Sequence, residues 1–376
     1  MQGLTLIGSG WHPHLFRAEI KALTGPLEVI HPRVVYIPHT DSAIRRLSRA
    51  ALLDEVLSSA GRVWLHTSIT DGELAQHIAE WAGSNLPKGS FAVRARNLGT
   101  GIDGLSRSAI EGEVGALVMS EANPVDLESP EHEIVVVLAG PEDGPIHRDS
   151  MSFIGPKVVW GLRESAWQRE SFAGRAPTDR PFFQPVSLDP RQARLLISLA
   201  HRAGVESTTV VDPFCGTGGI VIEAALQGLE ALASDLDGRM VEGTRQNLDW
   251  AGVSASVEMS AVADVASVWG ERSGCIFAFD PPYGRSSWKS DDGLELLLEA
   301  MSAAHQIDSQ GAVCTMLPAG PETLSQESEQ DYQVMGLPWG EVEAQIREHG
   351  WVPVLKSPIR VHRSLARMVV VCHPAD

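Results

Sequence analysis

Thr208-Thr209-Val210-Val211-Asp212-Pro213-Phe214-Cys215-Gly216-Thr217-Gly218-Gly219, followed by Ile220-Val221-Ile222-Glu223-Ala224-Ala225-Leu226, carries the reading of the fold. A short β-branched run enters a Gly-rich turn and leaves as an apolar, helix-forming stretch. In α/β folds this is the context that binds nucleoside cofactors, at the carboxyl ends of strands. Glycine lets the backbone approach such a ligand closely. The spacing is neither G-x-G-x-x-G nor the Walker pattern with its Gly-Lys-Ser/Thr, so dinucleotide and nucleoside triphosphate readings lose support. A Gly-rich turn alone is weak evidence, and the neighbouring strand ends decide its meaning.

The next strand, Leu229 to Ser234, ends in Asp235-Leu236-Asp237. An acid about 20 residues beyond the glycines is placed to bind ribose hydroxyls. Asp264-Val265 follows another strand-like stretch, Ala255 to Met259, and is placed to contact an adenine edge. The buried-strand pattern Cys275-Ile276-Phe277-Ala278-Phe279 then runs into Asp280-Pro281-Pro282-Tyr283. Two prolines cannot continue a sheet, because each lacks an N–H and fixes φ. The chain leaves the strand in a stiff loop bearing one acid and one aromatic ring. The Asp280 carboxylate and the Pro281 carbonyl can accept hydrogen bonds from an exocyclic amino group while Tyr283 stacks on the attached ring. A Pro-stiffened turn is the plainer reading of this tetrapeptide alone; four such features in chain order on successive strand ends disfavour it.

Residues from about 180 to 376 resemble the Rossmann-like, S-adenosylmethionine-dependent amino-methyltransferases. Motif I of that family matches at Asp212 to Gly219 and motif IV at Asp280 to Tyr283. The upstream motif that helps bind the methionine part of the cofactor is matched by Phe183-Gln184-Pro185-Val186-Ser187-Leu188, with Val186 where Gly or Ala-Ser is usual. The helix Pro190 to Ala203 and the final Ile359 to Arg367 hairpin are similar to those of tRNA guanosine N2-methyltransferases, although Ala366 stands where Thr is commoner. The resemblance implies cofactor contacts from Pro185, Asp212, Pro213, Phe214, Gly216, Thr217, Gly218, Gly219, Asp235, Leu236, Asp264 and Val265. It implies catalysis by Asp280, Pro281, Pro282 and Tyr283.

The preceding residues narrow the substrate. Ser90 to Gly99 alternates, with Arg94 and Arg96 on one face. A helix from Ile110 to Val118, the Ala122 to Pro130 loop and the strand Glu133 to Leu138 follow. The set resembles a THUMP domain, the RNA-binding module of several tRNA-modifying enzymes. Before it, strand Leu4-Ile7, helix Leu15-Leu23, strand Leu27-Tyr36 and a long helix Ser42-Leu57 resemble the small ferredoxin-like domain that precedes THUMP. The expected plan is therefore a ferredoxin-like domain (1–60), THUMP (61–140), a linker (141–180) opened by the turn-rich Gly140 to Pro145, and the methyltransferase domain (181–376). Its fold class is α/β, a mostly parallel sheet with a C-terminal antiparallel hairpin, preceded by two α+β domains.

A chain of 376 residues is long enough for several cores. No apolar stretch reaches membrane-spanning length, and no signal segment is evident, which points to a cytoplasmic protein. Cys215, Cys275, Cys314 and Cys372 lie far apart without C-x-x-C spacing and read as reduced, buried residues. His12, His14, His31, His39 and His66 lack metal-ligand spacing, so no metal is expected.

The net charge of −18 is the wrong sign for nonspecific binding to a polyanion. Either acid is segregated from a basic RNA face or the surface is adapted to high salt. Segregation has support: 321–350 holds seven acids and one Arg, whereas 351–373 holds Lys356, Arg360, Arg363, Arg367 and no acid. Candidate RNA contacts are Arg94, Arg96, Arg175, Arg180, Arg285, Arg360 and Arg363.

The expected activity is transfer of methyl groups to N2 of guanosine 10 in tRNA. The alternatives are another amino target (guanosine 6 of tRNA, or adenine N6) and a non-catalytic RNA-binding subunit. The resemblance implies tRNA as the partner and, as an optional one, the small zinc-binding activator protein that some related enzymes need.

Overall fold

The computed structural model describes residues 3–64, 69–142, 155–185, 187–282, 290–325, 332–362 and 365–375. They fall into two compact units that divide at Arg169/Glu170, with Arg49–Ala51 grouped with the second.

The first unit runs β1 (Gly3–Gly8), α1 (Pro13–Thr24), β2 (Glu28–His31), β3 (Val34–Pro38), α2 (Asp41–Leu47) and β4 (Leu53–Trp64), a β-α-β-β-α-β order. It continues with α3 (Asp71–Asn85), β5 (Phe91–Leu98), α4 (Arg107–Val118), β6 (His132–Ala139) and β7 (Lys157–Arg163). These strands make one sheet, ordered β2-β3-β1-β4-β7-β6-β5. Its pairs are antiparallel apart from β5 with β6. Local chemistry sets the helix starts. His12 caps α1 ahead of Pro13, and Thr70 with Glu73 closes a capping box on α3.

Several expectations change here. Residues 42–57 are not one helix, because α2 stops at Leu47 and β4 begins at Leu53. Leu52, Leu53, Val56 and Leu57 mimic a helical stripe, yet β4 lies between β1 and β7. A strand covered on both faces loses its alternation. The run Leu27–Tyr36 is the hairpin β2–β3, broken at Pro32, which has no N–H to give a ladder. β4 runs across the boundary expected near residue 60. The expected linker contributes β7, whose Val158-Val159-Trp160 is buried between β4 and β6. The helix expected over Pro190 to Ala203 ends at Leu199.

The second unit begins with α5 (Pro190–Leu199), β8 (Thr209–Asp212), α6 (Gly219–Leu226), β9 (Glu230–Asp235), α7 (Gly238–Ala251) and β10 (Ser256–Met259). There follow α8 (Val265–Trp269), β11 (Cys275–Phe279), α9 (Ser290–Ile307) and β12 (Ala312–Ala319). The short strands β13 (Gln333–Val334) and β14 (Leu337–Pro338), then α10 (Trp339–Glu348), β15 (Trp351–His362) and β16 (Leu365–Pro374), complete it. The strands β10-β9-β8-β11-β12 are parallel neighbours. β16 adds antiparallel to β12, with β15 beyond it. The chain winds outward from β8 through β9 to β10, then returns to the other side of β8 as β11. The topological switch therefore lies between β8 and β11, where such sheets open a ligand crevice at the carboxyl ends.

Core packing fixes the hairpin. Trp351 is fully buried, edge-on to Phe277 at 6.3 Å, and donates from Nε1 to the Met301 carbonyl at 2.9 Å. All five residues of β11 are buried, as a parallel strand covered on both faces requires. The cysteines are free and buried.

Candidate active site

β8 ends in Asp212, which is 2% exposed and accepts the Phe214 N–H at 3.0 Å. Burial pushes its carboxyl well above the ordinary range; the Phe214 bond opposes this, and the charges of Asp235 and Asp280 add to it. Pro213 is buried, and the Phe214 ring meets Phe279 at the end of β11, 5.8 Å away and edge-on.

The turn that follows has two glycines at positive φ, Gly216 at +51° and Gly218 at +81°. They face different surroundings. A Cβ at Gly216 would meet nothing closer than the Phe214 carbonyl oxygen at 3.9 Å, so that side of the loop is open to a ligand. A Cβ at Gly218 would sit 3.0 Å from Thr244 on α7, so this glycine allows close packing instead. Thr244 also donates to the Gly216 carbonyl at 2.9 Å. Gly219 opens α6, and a Cβ there would lie 3.3 Å from the Arg180 guanidinium.

Asp235, at the end of β9, is oriented by two backbone groups. Its Oδ2 accepts from Gly216 N–H and its Oδ1 from Asp237 N–H, each at 2.9 Å. Leu236 beside it is 75% exposed, an apolar surface next to a fixed carboxylate. Asp264 is exposed and Val265 buried at the start of α8. The carboxylate at a strand end, the open glycine and the exposed apolar side chain together fit a nucleoside.

The Pro185 side reaches the same loop. Thr217 donates to, or accepts from, the Ser187 hydroxyl at 2.9 Å, tying the Phe183–Leu188 segment to the glycine turn. Pro185 is exposed, and Val186 lies outside the described residues.

Asp280 follows β11 and forms an ion pair with Arg367 of β16. Burial raises its carboxyl to about 6, against the pull of the Arg367 guanidinium. Pro281 is buried and Pro282 exposed; Tyr283 lies outside the described residues. The structure thus gathers Asp212, Gly216, Asp235 and Asp280 on the carboxyl ends of three adjacent strands.

The expected RNA contacts divide. Arg94 and Arg96 share a face of β5 but are engaged, Arg94 with Glu133 at 3.2 Å, Arg96 with Glu55 at 3.5 Å and Asp54 at 3.7 Å. Arg360 is exposed on β15. Arg175 and Arg180 turn inward rather than outward. Arg180 is 5% exposed, and Arg175 pairs with Glu223 at 3.0 Å and Glu170 at 2.8 Å. Arg285 and Arg363 lie outside the described residues.

Asn247 and Arg367 escaped the sequence reading as site residues. Asn247 belongs to the inward stripe of α7 with Val241, Thr244 and Leu248. Two polar residues at core spacing were the available signal. Arg367, one charge heading the apolar run Met368 to Cys372, was the other.

A family model described as RMKL-like, methyltransferase domain, matches residues 177–347. The chain is 32% identical over 331 residues to the tRNA (guanine(10)-N2)-dimethyltransferase of Methanothermobacter thermautotrophicus, covering 87% of this chain and 83% of that one. The enzyme of the same name from Pyrococcus abyssi is 29% identical over 276 residues, covering 73% and 76%. Among solved structures, TrmN from Thermus thermophilus superposes with a TM-score of 0.50 at 19% identity, covering 100% of both chains, a likeness of fold.

Proposed function

Because the chain belongs to the tRNA (guanine(10)-N2)-dimethyltransferase family, we propose that it methylates the exocyclic N2 of guanine 10 in tRNA, using S-adenosylmethionine. The observation that carries the reading is the juxtaposition of Asp280 with the Gly216–Asp235 nucleoside cradle across the β8/β11 switch. Asp235 would hold the ribose of the methyl donor, Leu236 would flank its adenine, and Asp264 would take the adenine amino group. Bound there, S-adenosylmethionine supplies an electrophilic methyl group.

The chain's own work is positioning and proton removal. The target base is flipped from its stack, as chemistry on a base requires. The Asp280 carboxylate and the Pro281 carbonyl would accept hydrogen bonds from N2, steering its lone pair, and Tyr283 would stack by the sequence reading. As N2 gains a methyl it must lose a proton, which Asp280 takes. Alignment supplies most of the rate.

The basic tail with Arg360, and Arg94 with Arg96, would meet the RNA. The reading also carries a cytoplasmic location and, as an optional partner, a small zinc-binding activator. No helix among the described residues is long and apolar enough to cross a membrane.

The test is mass spectrometry of nucleosides from unmodified tRNA transcripts treated with protein and labelled donor, with and without an activator. One or two methyl groups on N2 of guanosine 10 are expected. Asp280→Ala should cut transfer at least ~10²-fold while donor affinity stays near wild type. Label on adenine N6 or guanosine 6 would replace the target; wild-type turnover in Asp280→Ala would remove Asp280 from the reaction.

A further inference from the structure

β11 ends at Phe279, paired with Thr315 of β12, whereas β12 continues to Ala319. The extra length is covered by β16, where Arg367 stands opposite Pro318 of β12 and Ile359 of β15. Arg367 is therefore fixed by ladder partners on both sides, at a level just past the end of β11. A long side chain from that level reaches back over the strand end, where Arg367 meets Asp280 Oδ1. Both side chains are largely withdrawn from solvent, Arg367 at 18% and Asp280 at 17% exposure. The flanking Ala366 and Met368 are fully buried, so the hairpin cannot shift without opening the core.

We propose, on the reading of Asp280 given above, that Arg367 is a positioning residue of the reaction: its ion pair keeps the Asp280 carboxylate charged and aimed at the amino group of the substrate. A carboxylate accepts hydrogen bonds; a carboxylic acid presents a donor and cannot take the proton that N2 sheds. Three groups face one another here among the described residues: Arg367 from β16, Asp280 itself, and Asp212 from the end of β8, with Asp235 beyond Asp212. Burial disfavours the charge on Asp280, and Arg367 is the opposing cation. The C-terminal hairpin would thus set the protonation state of an acid on another strand.

The experiment compares wild type, Arg367→Lys and Arg367→Met in pH profiles of single-turnover methylation at saturating labelled donor. Wild-type activity should fall below about pH 6, following the Asp280 carboxyl. In Arg367→Met the acidic limb should move about two pH units higher, with a loss of about 10-fold at pH 7 that largely recovers by pH 9. Arg367→Lys should fall between, and donor affinity should be unchanged in all three. An unmoved limb, or an equal loss at every pH, would overturn the proposal in favour of a structural role. If the wild type labels a different amino group, the same comparison is read on that product, so target and ion pair are judged separately. Urea midpoints over Arg367→Met, Asp280→Asn and the double substitution read the pair without turnover, and additive midpoints would equally overturn it.

Discussion

Asn247 and Thr217 are joined by a 2.8 Å hydrogen bond from the buried Asn247 amide to the Thr217 carbonyl, in the middle of the glycine turn. The same amide donates to the Phe182 carbonyl at 2.8 Å and accepts the Phe182 N–H at 2.9 Å. One side chain on α7 thereby holds the glycine turn and the segment leading to Pro185 at once. Gly243 packs against the same segment, since a Cβ there would fall 2.0 Å from the Phe182 ring. Asn247→Ala should strand buried backbone groups on both segments, at a cost of roughly 3 kcal/mol. Donor affinity measured by calorimetry should fall about 10-fold or more, because the turn is no longer pinned. Wild-type affinity would show that the turn is held by Thr244 and Asp235 without Asn247.

Glu223 on α6 is 1% exposed and lies between two guanidiniums, Arg194 at 2.9 Å and Arg175 at 3.0 Å. Burial still pushes its carboxyl above the ordinary value, with the arginines opposing. A buried acid of this kind is costly to set in place and costlier to break. Glu223→Gln leaves Arg175 and Arg194 sharing Glu170, and should lose about 3–5 kcal/mol in urea unfolding. Arg194→Met keeps Arg175 on Glu223 and should lose less. An equal loss in both variants would mean that Arg175 contributes nothing. Because α6 begins at Gly219, the same substitution should also loosen the glycine turn.

What could be read from the sequence follows from what each element owes to its neighbours. The Gly216 turn and the places of Asp235 and Asp280 at strand ends were legible because each is dictated locally, by an apolar strand that runs into a glycine, an acid or a proline. β4 was misread because its apolar spacing is set by β1 and β7, which are distant in sequence. β7 was hidden behind Gly140–Pro145, whose composition reads as the opening of a linker. Arg175 and Arg180 looked like RNA contacts because an arginine in a polar stretch reads as exposed. Glu223, the acid partner of Arg175 and Arg194, lies in an apolar helix, where nothing marks it as the centre of an ion-pair cluster. Arg367 became visible as a site residue only through the register of β16 on β12, which no local pattern encodes.

His31, at the end of β2, is 1% exposed and bridges two segments of the first unit. Its Nε2 lies 2.8 Å from the Gly140 carbonyl and its Nδ1 accepts the Arg33 N–H at 3.2 Å, so the neutral ring with the proton on Nε2 satisfies both. Burial lowers its pKa to about 4, with the Gly140 bond opposing and the charges of Arg33, Lys157 and Arg17 adding to the depression. The unfolded chain takes up this proton near pH 6.5, the folded chain only near 4, so the unfolded state binds more protons in between. His31 stabilisation is therefore complete above about pH 6.5 and is lost as the pH falls through that window, by up to roughly 3 kcal/mol. His31→Gln can keep a donor towards Gly140 but cannot titrate. The wild type should be the more stable protein at pH 7, and its advantage in urea midpoint should shrink or reverse by pH 4.5. A gap between the two proteins that stays constant from pH 7 to 4.5 would mean that the folded ring titrates as freely as the unfolded one.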